Sequence, residues 1–444
     1  MSASQLKGQC SDAACNYVEG LEMKRGFLLS SPKPKHKQLL FSTTPNTDPW
    51  SSQLPQHILD LIPKKIDTLD DLIRFSWVCK TWRLSALPFT SFKPFNKPWL
   101  IVPYTNDHVS KTGTACDKTL GFFDLSTRKL YKVDLPEIAN HRICGSCRGG
   151  WLVTVNSFGD IQLLHPFARK VISLAPVTAL PGVVSCYYNE RQNLVYDVKN
   201  YGSVCTIASN CMREFYIYKA VMLPCAGVVM VIHGLNKMLA FCKVSDENKK
   251  WISVEGCEGN FNDVTIFKGE FYAVKHNGSV YVVCGGFDTS LTPFVKFVIG
   301  QPVNWGYYKK YLVEARGELF LLDRIRYQLQ PGHDEADRTL VFSIKKIIDL
   351  NGKIIELNEP KFVSVDYIGK DCAVFVGWND SFARLTSDVP DCKGNSIYFT
   401  DDFVDGVSDM NNVNIGSILE NFVNEPIGRQ DIGAWDMKAN VLTD

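Results

Sequence analysis

Three things are scarce in this 444-residue chain, and each scarcity removes a class of function. Charge of one sign is the first. The 48 Lys and Arg stand against 47 Asp and Glu, so no global field draws the chain to a nucleic-acid backbone or an anionic membrane. Long apolar runs are the second. None approaches the ~18–20 residues of a spanning helix, and residues 1–11 are polar, without the apolar core of a signal peptide. The third is catalytic punctuation: there is no P-loop, no dinucleotide-binding glycine motif, no G-x-S-x-G elbow and no H-E-x-x-H helix. Neither a membrane nor a nucleic acid is expected as a partner, and residence in the nucleus and/or cytoplasm is the expectation.

Cysteine is present but unorganised. The 15 residues are scattered from Cys10 to Cys392, and only Cys144 and Cys147 form a C-x-x-C pair. A zinc site needs a second pair, of Cys or His, at matching spacing, so no metal is expected. A redox C-x-x-C opens a helix, whereas Trp151-Leu-Val-Thr-Val155 follows here as a strand, so the pair reads as a turn before an inner strand. The sequons at Asn277 and Asn379 carry no weight without secretion. His333-Asp-Glu335 follows Pro331-Gly332 and reads as a solvated acidic loop. Asp70-Asp71 and Asp401-Asp402 are adjacent in sequence, which fixes no acid–base separation. No catalytic residue and no cofactor are assigned.

What is plentiful is aromatic and turn chemistry. Aromatics make up 12% of the chain, with 26 Phe and 17 Tyr, beside 31 Gly, a mixture that favours strands and tight turns. Residues 1–48 read as a disordered tail. Its proline-broken basic stretch Ser31-Pro-Lys-Pro-Lys-His-Lys37 is a solvated linker, with a nuclear-import signal as the alternative.

Residues 50–90 are helical in pattern. Leu54, Ile58, Leu59 and Ile62 form one apolar stripe, Ser51 and Ser52 are candidate caps, and Pro55 suits a first turn. Pro63 should end or kink that helix. A second helix begins near Thr68, carries Leu69, Leu72, Ile73 and Phe75, and has Asp70 and Asp71 at its positive end. A third runs through Val78-Cys-Lys-Thr-Trp-Arg83 and should stop at Pro88. Three helices this short cannot bury all of these stripes against one another, which leaves apolar surface for a partner.

From Trp99 onward the pattern is strand-like. Residues 152–155 and 161–164 flank a turn at 156–160, and 228–232 and 238–242 flank Gly234-Leu-Asn236. Residues 271–274 and 280–283 flank Asn277-Gly278, the strongest short hairpin signal. Arg316-Gly317 and Asn351-Gly352 mark two more, the latter between 344–350 and 354–355. Successive turn centres lie roughly 40 residues apart, the period of a four-stranded propeller blade. Gly121-Phe-Phe-Asp-Leu125 resembles Gly433-Ala-Trp-Asp-Met437, so the first and last segments are expected to share a blade or adjoin. The expected fold class is mainly β: a small N-terminal three-helix unit followed by a β-propeller of six to eight blades over 99–444. A two-sheet sandwich is the alternative.

Two resemblances follow from these motifs. Leu54-Pro-x-x-Ile-Leu-x-x-Ile62, Asp71-Leu-Ile-Arg-Phe75 and Val78-Cys-Lys-x-Trp-Arg83, in this order and spacing, resemble an F-box, from which Pro63 departs. The resemblance implies docking onto the adaptor subunit of an SCF ubiquitin ligase, and through it onto cullin. The positions that match the adaptor-facing pattern are Leu54, Pro55, Ile58, Leu59, Ile62, Leu72, Val78, Cys79 and Trp82. Further on, Gly145-Ser-x-x-Gly-Gly-Trp-Leu-Val153 with Leu164-His-Pro166 carries a second resemblance. Asp371-Cys-Ala-Val-Phe-Val-Gly-Trp-Asn379 and Lys393-Gly-Asn-Ser-Ile-Tyr-Phe-Thr-Asp-Asp402 carry it further. Together they resemble plant F-box proteins with a KIB-type β-propeller, His165 standing where that family commonly has Asn. The implied function is a non-catalytic substrate receptor that holds an unidentified target protein for ubiquitination. Two alternatives stay open. One is a propeller binding module outside any ligase, with the F-box as a structural remnant. The other is a propeller hydrolase with perturbed carboxylates on its axis.

Overall fold

The computed structural model describes residues 54–66, 69–92, 99–103, 119–124, 129–147, 150–285, 287, 292–300, 308–326, 339–348, 361–377, 379–389, 392–399, 433–436 and 441–443. Ser51, Ser52, Thr68, Asn351-Gly352, His333-Asp-Glu335 and the basic stretch at 31–37 lie outside these residues.

Helix α1 (Gln56–Leu59) starts at Pro55, whose extended ψ of 141° turns the chain inward, and ends at Asp60. Helix α2 (Ile62–Lys65) then carries Pro63 in its first turn. The break therefore falls at residues 60–61, ahead of Pro63. A prolyl nitrogen cannot donate to the Leu59 carbonyl, and Pro63 sits in the first turn of a new helix, where that bond is not needed. Helix α3 (Leu69–Trp77) and helix α4 (Lys80–Phe92) follow. The expected stop at Pro88 is not observed: α4 continues to Phe92, since one proline removes a single bond, to the Leu84 carbonyl, and the helix absorbs it.

Seven sheets follow among the described residues. The first joins β1 (Trp99–Pro103), β2 (Thr119–Asp124) and β3 (Lys129–Asp134). The second joins β4 (His141–Cys147), β5 (Trp151–Asn156), β6 (Ile161–His165) and β7 (Lys170–Ser173), and the third β8 (Val183–Tyr188), β9 (Leu194–Asn200) and β10 (Ser203–Ala208). After helix α5 (Ser209–Phe215) comes the sheet of β11 (Ile217–Leu223), β12 (Val228–His233), β13 (Met238–Lys243) and β14 (Ile252–Ser253). Next are β15 (Phe261–Phe267), β16 (Glu270–Lys275), β17 (Val280–Cys284) and β18 (Phe294–Ile299). Then come β19 (Tyr308–Ala315), β20 (Glu318–Arg326), β21 (Thr339–Ile348) and β22 (Lys361–Ser364). The last sheet has the order β24 (Ser381–Leu385), β23 (Cys372–Val376), β25 (Ser396–Phe399), β26 (Gly433–Asp436) and β27 (Val441–Thr443).

The hairpins obey local turn chemistry. Arg316 and Gly317 take φ of 54° and 76° between the paired Ala315 and Glu318, the left-handed pair a two-residue turn requires. At Asn277-Gly278 the Asn277 side chain accepts the Ser279 N–H at 3.0 Å. Elsewhere long-range pairing overrides the local reading. Strand β21 pairs with β22 at 361–364, and the expected partner run 354–355 lies outside the described residues. Strand β25 returns parallel to β23 rather than antiparallel. Strands β2 and β26, the matching ends, lie in separate sheets. Cys144 and Cys147 lie within β4 itself and are buried.

The sheets meet through their inner strands. Strand β4 lies against β11, β11 against β15, β15 against β19, and β19 against β24. The closest of these approaches depends on a glycine: a Cβ on Gly145 would stand 2.0 Å from the Ala220 carbonyl oxygen. The β8–β10 sheet stays outside this ring. Its Tyr196, Val198 and Ile207 pack into the apolar cluster between the β4 and β11 sheets, while most of β8 faces solvent. The β1–β3 sheet packs Phe122 and Val133 against Leu164 and Phe167. Arg324, fully buried, stacks 4.5 Å from the Phe399 ring and so ties the β19 and β24 sheets.

Candidate functional site

The helical unit forms a small core of its own. Leu59, Leu72, Phe75 and Ala86 are buried, with Leu54, Ile62, Ile66 and Trp82 packed against them. Phe75 and Trp82 set their rings 4.5 Å apart at 35°, and this pair fixes the crossing of α3 and α4. Polar contacts lock α1 onto α4: the Gln56 amide donates to Ser85 Oγ and to Asp60 Oδ1, both at 2.8 Å. Hydrogen bonds from Ser85, then Gln56, hold the Asp60 carboxyl below the ordinary carboxylate range. Arg83 Nε–H donates to the Ser76 carbonyl at 3.4 Å and closes the α3–α4 bend.

The nine residues expected to face a partner divide by burial. Leu59 and Leu72, at 1% and 0% exposure, hold the helices together and present nothing to a partner in the free protein. Leu54, Ile62, Cys79 and Trp82 are half-buried. Pro55, Ile58 and Val78 are exposed, the last two at 38% and 56%. Two further apolar side chains join them: Leu61 at 50% and Leu84 at 55%. Leu61 lies i+3 from Ile58 and i+7 from Leu54, the spacing of one helix face, so the sequence carried a signal for it that the motif positions left out. Leu84 has no such signal, since it stands just past the motif's last residue. Among the described side chains the unit thus closes its centre and leaves Pro55, Ile58, Leu61, Val78 and Leu84 in water. Apolar groups left out of a complete core are the usual mark of a surface that another protein covers.

The other concentration of chemistry lies where the inner strands meet. The Lys219 ammonium of β11 bonds Asp263 Oδ1 of β15 and lies 3.4 Å from Ser381 Oγ of β24. Asp263 also accepts the Val264 N–H at 2.9 Å and the Leu312 N–H of β19 at 2.8 Å. Ser146 Oγ–H of β4 donates to Asp380 Oδ2 at 3.1 Å, and the Ser381 N–H donates to Asp380 Oδ1 at 2.8 Å. Burial raises the Asp380 carboxyl above its ordinary range, and the Lys219 charge only partly offsets this. Five inner strands are pinned here, and each carboxylate oxygen is occupied by a donor from the chain itself. Such a cluster specifies which strands meet; it offers no unengaged base or nucleophile.

The sulfurs are equally inert. Burial pushes the Cys144 thiol up to about 11 and raises Cys147 further, the opposite of a reactive thiolate. Among the described residues no group of three or more His, Cys, Asp or Glu is placed to hold a metal ion, and no helix is long and apolar enough to cross a membrane. His165 works structurally: its Nδ1 accepts the Ala168 N–H at 3.1 Å, and its ring meets Trp151 edge-on at 5.3 Å.

Comparison with known proteins places these features. Residues 122–436 match the model of the KIB1-4 beta-propeller. The chain is 27% identical over 385 residues to the F-box protein SKIP23 of Arabidopsis thaliana, covering 80% of this chain and 85% of that one. It is 22% identical over 363 residues to the F-box protein At2g26160 of the same plant, covering 80% and 96%. Among solved structures, the beta-propeller domain of Cps50 (Swd1) from Myceliophteria thermophila overlays at a TM-score of 0.28 and 10% identity, covering 52% of this chain and 77% of that one.

Proposed function

Because the chain belongs to the KIB1-4 β-propeller family, whose relatives here are F-box proteins, we propose that it is the substrate-recognition subunit of an SCF-type E3 ubiquitin ligase. The helical unit docks onto the adaptor subunit, and through it onto cullin; the propeller holds a target protein. One observation carries this reading: Pro55, Ile58, Leu61, Val78 and Leu84 stay in solvent around a helical core that is already closed. Docking removes that apolar area from water at roughly 25 cal/mol per Å².

The mechanism is tethering. A target lysine held near a ubiquitin-charged conjugating enzyme reacts at an effective concentration far above its free one, and this chain forms no covalent intermediate. The closed hydrogen bonding of Asp263, Asp380 and Lys219 supports a non-catalytic role. Residence in the nucleus and/or cytoplasm goes with the ligase. Reconstitution tests the reading: adaptor and cullin should co-purify with the intact chain in equimolar amounts, and failure to do so from folded protein counts against it.

A second reading has its own observation. The break at residues 60–61 leaves α1 and α2 with four residues each. A docking helix shortened this way fits a propeller binding module that works outside a ligase and keeps its F-box as a structural remnant.

A further inference from the structure

At the end of the ring where the inner strands begin, positive side chains converge. Lys237 lies in the turn between β12 and β13 with φ of 49°, and its ammonium stands 4.9 Å over the Tyr218 ring of β11. Backbone bonds string this turn to its neighbours: Asn260 N–H donates to the Asn236 carbonyl and His276 N–H to the Asn260 carbonyl, both at 2.8 Å. The tip of the β9–β10 hairpin reaches the same place, where the Tyr201 hydroxyl donates to Asn260 Oδ1 at 3.0 Å. Lys309 and Lys310 bring their charges from the first residues of β19.

Two of the described carboxylates engage lysines other than Lys237. Asp323 takes Lys310 at 2.6 Å and Lys345 at 2.7 Å, and Glu258 lies 3.6 Å from Lys275. Lys237 has no carboxylate partner among the described residues. Burial first, then the Lys309 charge, draws its pKa down to about 8, so most of it is still protonated at neutral pH. Burial, Lys237 and Lys310 act in the same direction on His276. A second feature is independent of charge: the Tyr218 hydroxyl and the Asn236 side-chain oxygen are buried and without hydrogen-bond partners. A half-buried ammonium without a carboxylate and a buried hydroxyl without an acceptor both oppose folding. One negatively charged acceptor removes both penalties.

We propose that this end of the propeller binds a phosphate-class oxyanion, held by Lys237 with Lys309, His276 and the Tyr218 hydroxyl. The inference rests on the receptor reading in one respect: there the anion is a phosphorylated side chain of the target. A free phosphorylated small molecule would satisfy the same groups.

Isothermal titration of the full chain, without adaptor, distinguishes the sources. The probes are inorganic phosphate and a phosphoserine tetrapeptide beside its unphosphorylated twin. Binding of a phosphorylated probe supports the site; tighter binding of the peptide assigns the anion to a target, tighter binding of phosphate to a small molecule. Lys237→Met should weaken binding at least tenfold, and Tyr218→Phe several-fold with a melting temperature no lower than that of the wild type. Lys296→Met, on β18, should have no effect. No binding to folded wild-type protein, or equal binding by the Lys237→Met variant, overturns the proposal. Because the adaptor is absent, failure of adaptor docking leaves this result untouched.

Discussion

Ser146 Oγ–H donates to Asp380 Oδ2 at 3.1 Å across 234 positions of sequence. That bond joins β4, the first inner strand of the ring, to the turn that enters β24, the last. Lys219 and Asp263 stand beside it, so the cluster carries two carboxylates against one ammonium.

Removing the ammonium should be severe. Lys219→Met leaves Asp263 and Asp380 buried without compensation, at a cost of about 3–5 kcal/mol. Chemical denaturation should show it as a lowered midpoint with the slope unchanged.

Asp380→Asn should act in the opposite sense at neutral pH. Burial raises the Asp380 pKa above its unfolded value of 3.8. Its contribution is therefore complete below that value and is lost as pH rises through the folded pKa. Asparagine can keep both hydrogen bonds without the charge. Melting temperatures measured as pH is raised from below 3.8 to neutral should fall less steeply for the variant than for the wild type.

His233 sets the acid limit. It is 2% exposed, and burial lowers its pKa from 6.5 to about 4. The neutral ring is favoured in the fold, so this stability is present above pH 6.5 and is lost between pH 6.5 and 4. The shift corresponds to about 3 kcal/mol. His233→Gln should flatten the acid limb of a stability–pH curve over that window. A limb unchanged in shape would place the acid sensitivity elsewhere.

Much of this architecture was legible in local chemistry. Asn277-Gly278 and Arg316-Gly317 demanded hairpins because Gly278 and Gly317 take the positive φ that such turns need. The Leu54-Pro55 start and the stripe of Leu54, Ile58, Leu59 and Ile62 announced short packed helices. Three things were not legible, for physical reasons. The parallel return of β25 and the exclusion of the β8–β10 sheet from the ring depend on contacts far apart in sequence. Leu59 and Leu72 share a helical stripe with residues that face outward, and periodicity does not say which members a small unit buries first. The Lys219–Asp263–Asp380 cluster draws on residues dispersed over β11, β15 and the turn before β24, with no motif to join them.

Gly145→Ala should be among the most damaging single changes in the chain. Its Cβ would fall 2.0 Å from the Ala220 carbonyl oxygen, a rigid backbone atom, so β4 and β11 would have to part. A loss of at least about 3 kcal/mol is expected, read as loss of soluble folded protein or a collapsed thermal transition.

The helical unit separates stability from docking. Leu72→Ala should cost about 2–5 kcal/mol because it empties a closed core. Ile58→Ser and Val78→Ser, at exposed positions, should change stability by no more than about 0.5 kcal/mol. Circular dichroism melts of the three variants check this.

The most direct measurement is the affinity of the purified full chain for the plant SCF adaptor subunit, beside the Ile58→Ser, Val78→Ser double variant. Tight binding by the wild type and a loss of at least about thirtyfold in the variant, equivalent to ~2 kcal/mol, is the predicted result. Folded wild-type protein that does not bind the adaptor, or a variant that binds it equally well, would contradict the assignment of this surface and leave the free-standing propeller as the better account.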